Sequence, residues 1–313
     1  MNKKVVCIGT VIVDCILKGF DPEPVSKTGY RAESTTLFPG GEALNQAVTL
    51  AKLSMEPVIV CGVGCDRASE VLTGELERYH VDTSFMVRKE EMSTPVTVMF
   101  VDEKGDRKSI TNQAHYFNFH PERNLSCLKG AGAVSLGSLF RAPFNDPEVV
   151  YRTVKAAKDL GIPVYADTKL PNSVKLSLSD LRDSLPLIDY ITPNEQEAQY
   201  YSGKAASEAC ADEFLSFGVK NVIVKLGGNG CLFKNEKEFY RLPAEAVEAV
   251  DATGAGDNFA AGFMTARAMG MDHEKALRFA NICGAICATK VGATTALHGL
   301  SQVLSLMPDP SGF

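Results

Sequence analysis

Residues 251–263 read Asp-Ala-Thr-Gly-Ala-Gly-Asp-Asn-Phe-Ala-Ala-Gly-Phe, and the rest of the chain can be interpreted around them. Gly254 and Gly256 allow backbone conformations with positive φ and a close approach to another group. Apolar residues then recur at helical spacing, which predicts a helix over 257–269. A glycine turn that leads into a helix presents free N–H groups at the helix N-terminus, a favourable place for phosphate or another anion.

An acidic side chain, Asp257, lies within this turn. A carboxylate repels phosphate, so a turn that only bound an anion would be better without it. Asp257 is explained if it accepts a proton from an attacking hydroxyl group. The alternative is that it only stabilises the first turn of a helix, by ~0.3–1 kcal/mol. Because a helix N-terminus favours the charged form of a carboxylate, we expect Asp257 to be a weak base.

Length and composition are those of an ordinary globular chain, with 313 residues of which 45% are hydrophobic and 22% charged. The net charge of −6 argues against non-specific nucleic-acid binding, which needs a basic surface. We expect neither a membrane helix nor a signal peptide, because no apolar run is long enough and Asp14 interrupts the N-terminal one. The nine scattered cysteines favour reduced thiols in a cytoplasmic protein, without a cysteine metal site.

Strand-like apolar runs alternate with helical patterns through most of the chain. This alternation predicts right-handed βαβ units, and therefore a mostly parallel sheet with helices on both faces, an α/β fold of three layers. The predicted strands are 4–9, 57–63, 131–136, 163–167, 188–191 and 221–225, and the predicted helices are 42–54, 66–79, 146–160, 195–202, 206–217, 257–269 and 273–289.

Two stretches, 12–38 and 94–111, lack helical periodicity and contain turns, namely Asp21-Pro22, Thr28-Gly29 and the hairpin-like 102–106. We interpret them as strands that project from the main sheet and form a small lid, inserted into one domain that spans 1–313. The alternative is an ordinary pair of edge hairpins. Because an exposed sheet edge invites pairing, we expect a homodimer through the lid.

Ligands of open parallel sheets bind outside the carboxyl ends of the strands, and several polar residues follow predicted strands. Asp14 could accept the hydroxyl protons of a sugar, or it could be an acid in a turn. Gly40 and Gly41 open a helix whose first turn carries Asn45, which can donate to and accept from one ligand; the alternative is a glycine-rich helix start. Residues 167–169, Asp-Thr-Lys, are a further polar strand end.

Two more segments suit a nucleotide. Asn194 and Glu197 are three residues apart on one helical face, where they could hold a hydrated Mg²⁺ or, equally, close a capping box. The glycine turn over 225–230 suits the wall of a site for a base or phosphate, or a tight hairpin. The chain contains neither a P-loop nor the glycine fingerprint of a dinucleotide-binding fold.

In combination these motifs resemble the ribokinase-like (PfkB-type) carbohydrate kinase family. Residues 251–257 match its C-terminal signature, and Gly40-Gly41 with the Asn-Gln-Ala of 45–47 resembles its N-terminal signature. The resemblance extends from Asp14 to the last helices. It implies a three-layer sheet with a β-sheet lid, and transfer of the γ-phosphoryl group of ATP to a sugar hydroxymethyl group. Nucleosides and sugar phosphates are alternative acceptors in the same fold.

The resemblance also implies roles for single residues. Asp257 would be the catalytic base, with the backbone of Gly254, Ala255, Gly256 and Asp257 as the anion hole. The acceptor would be bound by Asp14, Gly41, Glu42 and Asn45, and the nucleotide by Asn194, Lys225, Gly227, Gly230 and Thr253. Glu197 would hold Mg²⁺ through water, and a monovalent cation such as K⁺ would lie near Asp251, Thr253, Lys290 and Gly292.

The chain also departs from the ribokinase pattern. Glu42 stands where ribokinases carry lysine or a small residue, 137–141 lacks an acid that often contacts ribose, and 167–169 differs as well. These differences leave the acceptor open. A protein of another class, a sugar- or nucleotide-responsive regulator that kept the fold without turnover, is the remaining alternative.

Overall fold

The computed structural model describes residues 2–19, 31–102, 107–112, 119–172 and 174–308. Its strands, numbered in chain order, are β1 (Lys4–Ile8), β2 (Ile12–Lys18), β3 (Ser34–Gly40), β4 (Glu56–Val60), β5 (Gly62–Gly64), β6 (Val87–Lys89), β7 (Val96–Val101), β8 (Arg107–Thr111), β9 (Ala133–Leu139), β10 (Val164–Thr168), β11 (Tyr190–Ile191), β12 (Asn221–Lys225), β13 (Cys231–Lys234) and β14 (Phe239–Leu242). Its α-helices are α1 (Glu42–Lys52), α2 (Arg67–Arg78), α3 (Pro147–Asp159), α4 (Glu195–Ser202), α5 (Ser207–Ser216), α6 (Ala255–Ala268), α7 (His273–Ala288) and α8 (Leu300–Leu304).

The main sheet has eight strands in the order β14-β13-β12-β11-β10-β9-β1-β4. The strands from β12 to β4 pair in parallel, whereas β13 and β14 add an antiparallel edge. Successive residues along a strand belong alternately to two hydrophobic cores, because their side chains point to opposite faces of the sheet. Val5 and Cys7 pack among α1, α2, α6 and α7, while Val6 and Ile8 pack among α3, α4 and α5. The predicted three-layer α/β/α architecture is therefore confirmed.

Four strands form a separate sheet in the order β3-β2-β7-β8, and this sheet is the predicted lid. β2 pairs with β7 in parallel, and β3 and β8 pair antiparallel on the outside. The interpretation as edge hairpins is wrong, because these strands do not join the main sheet. Of the turns predicted in the lid stretches, residues 21–22, 28–29 and 103–106 lie outside the described residues.

Helix boundaries follow from local chemistry. Asp66, Asp146 and Asp272 each accept a hydrogen bond at the start of α2, α3 and α7, which satisfies N–H groups that the helix leaves unpaired. α6 begins at Ala255, two residues earlier than predicted. β13 and β14, the short β5–β6 pair and α8 were not predicted.

In the described part of the chain, no helix is both long and apolar enough to cross a membrane. All nine cysteines are free thiols, and seven of them are buried. Burial raises the pKa of the Cys7 and Cys61 thiols to about 12, so these side chains behave as small apolar groups in the core.

Candidate active site

Two helix N-termini meet at the carboxyl end of the parallel sheet. α1 starts after Gly41, whose φ is 92°, and α6 starts after Gly254, whose φ is 78°. A Cβ at Gly41 would lie 2.6 Å from the carbonyl oxygen of Thr10, and a Cβ at Gly254 would lie 2.7 Å from the Cα of Ala293. Both glycines are therefore required by backbone conformation and by close packing.

The turn that was predicted to bind an anion is the first turn of α6. A Cβ at Gly256 would lie 3.2 Å from Nζ of Lys225, so this lysine lies directly over the turn. The N–H group of Ala255 already donates to the carbonyl oxygen of Ala252 at 3.2 Å. The arrangement combines a helix N-terminus with an ammonium group, and both attract a phosphoryl group.

Asp257 is buried at the base of this turn and accepts a 2.8 Å hydrogen bond from Nδ2 of Asn45. Asn45 projects from α1, so this bond joins the two helix starts. The Oδ1 atom of Asn45 is buried without a hydrogen-bond partner among the described residues. An unpaired buried acceptor is costly, and the hydroxyl group of a ligand would satisfy it.

The expectation that Asp257 is a weak base is wrong. Burial raises the pKa of its carboxyl group to about 7, and the negative charge of Glu42 adds to the increase. Lys169 and the hydrogen bond from Asn45 oppose it without cancelling it. The cost of removing a charge from water thus exceeds the stabilisation by the helix N-terminus, and the carboxyl group of Asp257 can exchange a proton near neutral pH.

Asp14 lies within β2 of the lid and not in a turn after β1, so the alternative of a turn acid is wrong. A Cβ at Gly40 would lie 2.7 Å from Oδ2 of Asp14, which shows how closely the carboxylate packs against the end of β3, two residues before α1 begins. Burial raises the pKa of Asp14 to about 6, and the charge of Glu42 contributes. Asp14, Glu42 and Asp257 therefore share one electrostatic neighbourhood.

Glu42, the first residue of α1, forms a 2.8 Å ion pair with Lys169, which follows β10. Burial alone would raise the pKa of Glu42, but the charge and hydrogen bond of Lys169 outweigh it and hold the pKa below its usual range. The pKa of Lys169 is raised, mainly by Glu42, with Asp257 and Asp167 contributing. Sequence reasoning recognised 167–169 as a polar strand end and Lys169 as a possible basic residue of the acceptor site, but it missed the partnership with Glu42.

A second buried ion pair stands beside the first. Nζ of Lys225 lies 2.6 Å from Oδ1 of Asp167, which also accepts a 3.0 Å hydrogen bond from Thr192. Asp167 was missed as a site residue. The pair places a positive group at the boundary between the α6 turn and the polar strand ends.

Asn194 and Glu197 form a complete capping box at the start of α4, with hydrogen bonds of 2.9 and 3.0 Å. The capping alternative is therefore confirmed. The same Oε2 atom of Glu197 also accepts a 2.8 Å hydrogen bond from Thr168. Burial raises the pKa of Glu197, and so does the negative charge of Asp167, whereas Lys225 lowers it. Among the described residues, no cluster of three or more acidic, histidine or cysteine side chains could hold a metal by itself.

A cavity of about 330 Å³ opens on the other side of the α6 turn. The 227–230 glycine turn forms one wall and, as the alternative reading held, also joins β12 to β13 as a hairpin. Small side chains of α7 form the opposite wall, where sequence reasoning identified no site residue. The lining includes Lys225, Gly227, Gly230, Ala252, Gly256, Phe259, Asn281, Gly284 and Ala288. A mostly apolar cleft beside a glycine turn at a helix N-terminus suits a nucleotide.

The loop before α6 is held by Asp251. Its Oδ1 accepts hydrogen bonds from the backbone N–H and hydroxyl groups of Thr253, at 3.0 and 2.7 Å, and its Oδ2 accepts one from the N–H of Gly292 at 3.1 Å. Lys290 is exposed in the same loop as Gly292. Since an ammonium group only donates hydrogen bonds, any cation ligand at Lys290 would be its carbonyl oxygen.

Comparison with known proteins decides the family. Residues 2–299 match the pfkB family carbohydrate kinases. The chain belongs to this family. A Staphylococcus aureus ribokinase is 26% identical over 310 residues, covering 97% of this chain and 99% of the relative. An ATP-dependent 6-phosphofructokinase from Thermoanaerobacterium thermosaccharolyticum is 24% identical and covers 96% of this chain and 93% of the relative.

Among solved structures, the Arabidopsis thaliana ribokinase complexed with ribose and ATP has a TM-score of 0.86 and 25% identity, covering 99% of this chain and 100% of the other. Membership of the pfkB family shows that the chain is a carbohydrate kinase with the ribokinase-like fold. Since the pfkB relatives include a ribokinase and a phosphofructokinase, membership does not name the acceptor.

Proposed function

We propose that this protein transfers the γ-phosphoryl group of ATP to a hydroxymethyl group of a sugar or sugar-like acceptor, with Asp257 as the catalytic base. The observation that supports the proposal most strongly is the buried Asp257–Asn45 pair, at a glycine-capped helix start, between a polar pocket and a nucleotide-sized cavity.

The reaction divides among the residues as follows. Asn45, Asp14 and Glu42, with the backbone of Gly41, bind acceptor hydroxyls. The acceptor O–H bond breaks as its proton moves to Asp257, the oxygen bonds to the γ-phosphorus, and the bond from that phosphorus to the β-phosphate oxygen breaks to release ADP.

The anion hole at 254–257 stabilises the migrating phosphoryl group. Lys225 neutralises phosphate charge beside it. The nucleotide is contacted by Gly227, Gly230, Thr253 and Asn194. Positioning and charge stabilisation dominate such reactions because the transition state is loose.

Mg²⁺ fits beside Glu197, because Glu197 and Asp167 are two carboxyl groups that share a single ammonium group, Lys225, and a further cation would balance the second carboxylate. Glu197 would hold the ion through water, since its Oε2 is occupied by protein donors. When bound with ATP, Mg²⁺ supplies neutralisation of the phosphate charge. We also propose a monovalent cation, such as K⁺, beside the Asp251–Thr253 loop and Gly292.

A screen of ATP consumption tests the function. We expect ADP formation that depends on one acceptor among pentoses, hexoses, polyols, sugar acids, sugar phosphates and nucleosides, with the phosphorylated product visible by mass spectrometry. ATP binding without turnover for any acceptor would favour the regulator and contradict the kinase. The intact Asp257 and its hydrogen bond favour the kinase.

The activity should depend on pH around neutrality. Asp257 accepts a proton only when it is ionised, and its pKa is raised to about 7, so kcat/KM should rise with pH through about 7 and then level off. Steady-state rates between pH 5.5 and 8.5 measure this, with ATP binding followed over the same range as the control. Rates that do not change over that range would exclude Asp257 as a base with this pKa.

We propose further that two copies associate through the outer face of the lid. The strand register aligns Leu37, Cys15, Val98 and Ile110 in one row across the four strands. Leu37 and Ile110 are 54% and 66% exposed. Asp14, next to Cys15 in β2, points to the opposite face, toward the pocket. An apolar outer row on a sheet fits a second copy of the same face.

Light scattering at micromolar concentrations should therefore give a dimer. The double substitution Leu37→Glu and Ile110→Glu should give a monomer, because it places charges in the centre of the interface. Leu160→Glu, a change at a 59% exposed leucine at the end of α3, is the matched control and should remain a dimer. An unsubstituted protein that is monomeric under these conditions would exclude the lid dimer.

A further inference from the structure

Glu42 and Lys169 form an ion pair at the proposed acceptor site. Glu42 is on the first residue of α1, and Lys169 follows the end of β10, where its N–H group donates to the carbonyl oxygen of Leu139 at 3.0 Å. A Cβ at Gly137 would lie 3.3 Å from Cβ of Glu42, so the glutamate is packed against the end of β9. The Lys169 side chain is 39% exposed and the Glu42 side chain 16% exposed. The pair is therefore partly exposed to solvent, and both of its residues contact the end of β9.

The charges around the pair are unbalanced. Glu42 raises the pKa of both Asp14 and Asp257, so it lies within electrostatic range of each, and the three carboxylates belong to the proposed acceptor site. Lys169 is the ammonium group placed among them, and it is paired with Glu42. Lys225, the next cation, is paired with Asp167 on the nucleotide side.

Arg141 follows the same strand end as Gly137. Its Nε donates to the carbonyl oxygen of Leu170 at 2.7 Å, which fixes this edge of the guanidinium group on the loop after Lys169. The side chain thereby supports the Lys169 segment from outside. Lys169, Lys225 and Arg141 therefore each already donate a hydrogen bond to a protein oxygen atom.

We propose that the Glu42–Lys169 ion pair selects the acceptor by charge, so that uncharged sugars and polyols are phosphorylated while sugar phosphates and sugar acids are rejected. The inference rests on the proposed function and adds the class of acceptor and the residues that choose it.

An uncharged acceptor leaves the pair intact. Its hydroxyl groups donate to the outer oxygens of Glu42 and Asp14 and accept from the remaining N–H groups of Lys169, so that every polar group of the pocket gains a partner.

An anionic acceptor meets the opposite situation. One ammonium group neutralises one negative charge, so if Lys169 neutralises the ligand, Glu42 remains ionised beside Asp14 and Asp257 without a compensating cation. An unpaired charge in such a site is strongly unfavourable, and the three carboxylates repel the ligand as well.

Matched acceptors test the selection. The purified full-length protein is assayed with D-fructose against D-fructose 6-phosphate, D-tagatose against D-tagatose 6-phosphate, and D-glucitol against D-gluconate, all of which keep a free hydroxymethyl group. Among pairs with measurable turnover, we expect the uncharged member to have a kcat/KM at least roughly 100-fold higher, the order of one unfavourable charge contact.

Variants assign the selection to the pair. Glu42→Gln frees Lys169 and should reduce the preference for the uncharged member by roughly tenfold or more, mainly through a lower KM for the anionic one. Lys169→Met should lower kcat/KM for the uncharged acceptor without improving the anionic one. Glu148→Gln removes an exposed ion pair with Arg152 on α3 and should leave the preference unchanged.

Each outcome is decisive. A higher kcat/KM for the anionic members would overturn the charge selection and leave the kinase in place. So would a preference that Glu42→Gln does not alter, provided that thermal denaturation shows the variant to be folded. If no acceptor of either class is phosphorylated while ATP still binds, the kinase proposal fails, and the charge selection fails with it.

Discussion

Asp257→Asn is expected to reduce kcat by roughly 10²–10⁴-fold, the usual contribution of a positioned general base. The amide cannot take up the proton of the attacking hydroxyl group. It has the shape of the carboxylate, however, and its oxygen can still accept the hydrogen bond from Asn45. Because the buried charge near Glu42 is removed, the fold should be retained and stability should not fall. ATP binding should persist, since the helix start and Lys225 are unchanged.

Stopped assays for kcat, calorimetry for ATP and thermal denaturation separate these effects. Asp146→Asn is the matched control, because it makes the same change at the start of α3, where asparagine caps a helix as well as aspartate does. The control should keep full activity. Turnover of Asp257→Asn within a few-fold of the unsubstituted enzyme, with its true acceptor, would refute the role of Asp257 as the base.

Gly254→Ala should damage both stability and catalysis. The added Cβ would lie 2.7 Å from the Cα of Ala293, a backbone atom that cannot move aside easily. Overpacking of this kind costs about 1–3 kcal/mol. The left-handed conformation, with φ of 78°, costs an L-residue a further amount of about 1–2 kcal/mol. If the strain is relieved by a shift of the loop, the donors of the anion hole move, and kcat should fall even in the molecules that remain folded.

Urea denaturation gives the loss of unfolding free energy, and nucleotide titration gives the loss of binding. Gly74→Ala is the matched control, because Gly74 is in the middle of α2 with no atom within 4 Å of the added methyl group. That change should stabilise the protein by roughly 0.5–1 kcal/mol. Equal stability of Gly254→Ala and Gly74→Ala would contradict the packing argument.

The parallel part of the fold could be predicted because its strands are continuous apolar runs and its helices carry an apolar face. The antiparallel edge could not, since β13 and β14 have four residues each and their pairing depends on the turn at 227–230. The sequence of this turn fits both a hairpin and the wall of a nucleotide site, so it did not by itself predict the antiparallel pairing.

The site could be predicted where a motif carried it. Asp257, Asn45 and the glycines of both helix starts come together as the motifs implied. The Glu42–Lys169 and Asp167–Lys225 pairs join residues far apart in the sequence, so no local pattern indicates them. The basicity of Asp257 was predicted with the wrong sign, because local reasoning includes the helix start and omits the burial that α1 and Glu42 impose.

The join between β3 and α1 has a mechanical consequence. Strand β3 of the lid ends at Gly40 and helix α1 begins at Glu42, so Gly41 alone separates the lid sheet from the helix that carries Asn45. Gly41 is itself wedged against Thr10 and Val11, at the point where the chain leaves the main sheet for β2. The lid is therefore joined by one residue, rather than by a long loop, to the helix that holds Asp257 through Asn45. Under the proposed mechanism, a substitution that shifts the lid should also shift Asp257, and a substitution near Asp257 should also alter acceptor binding.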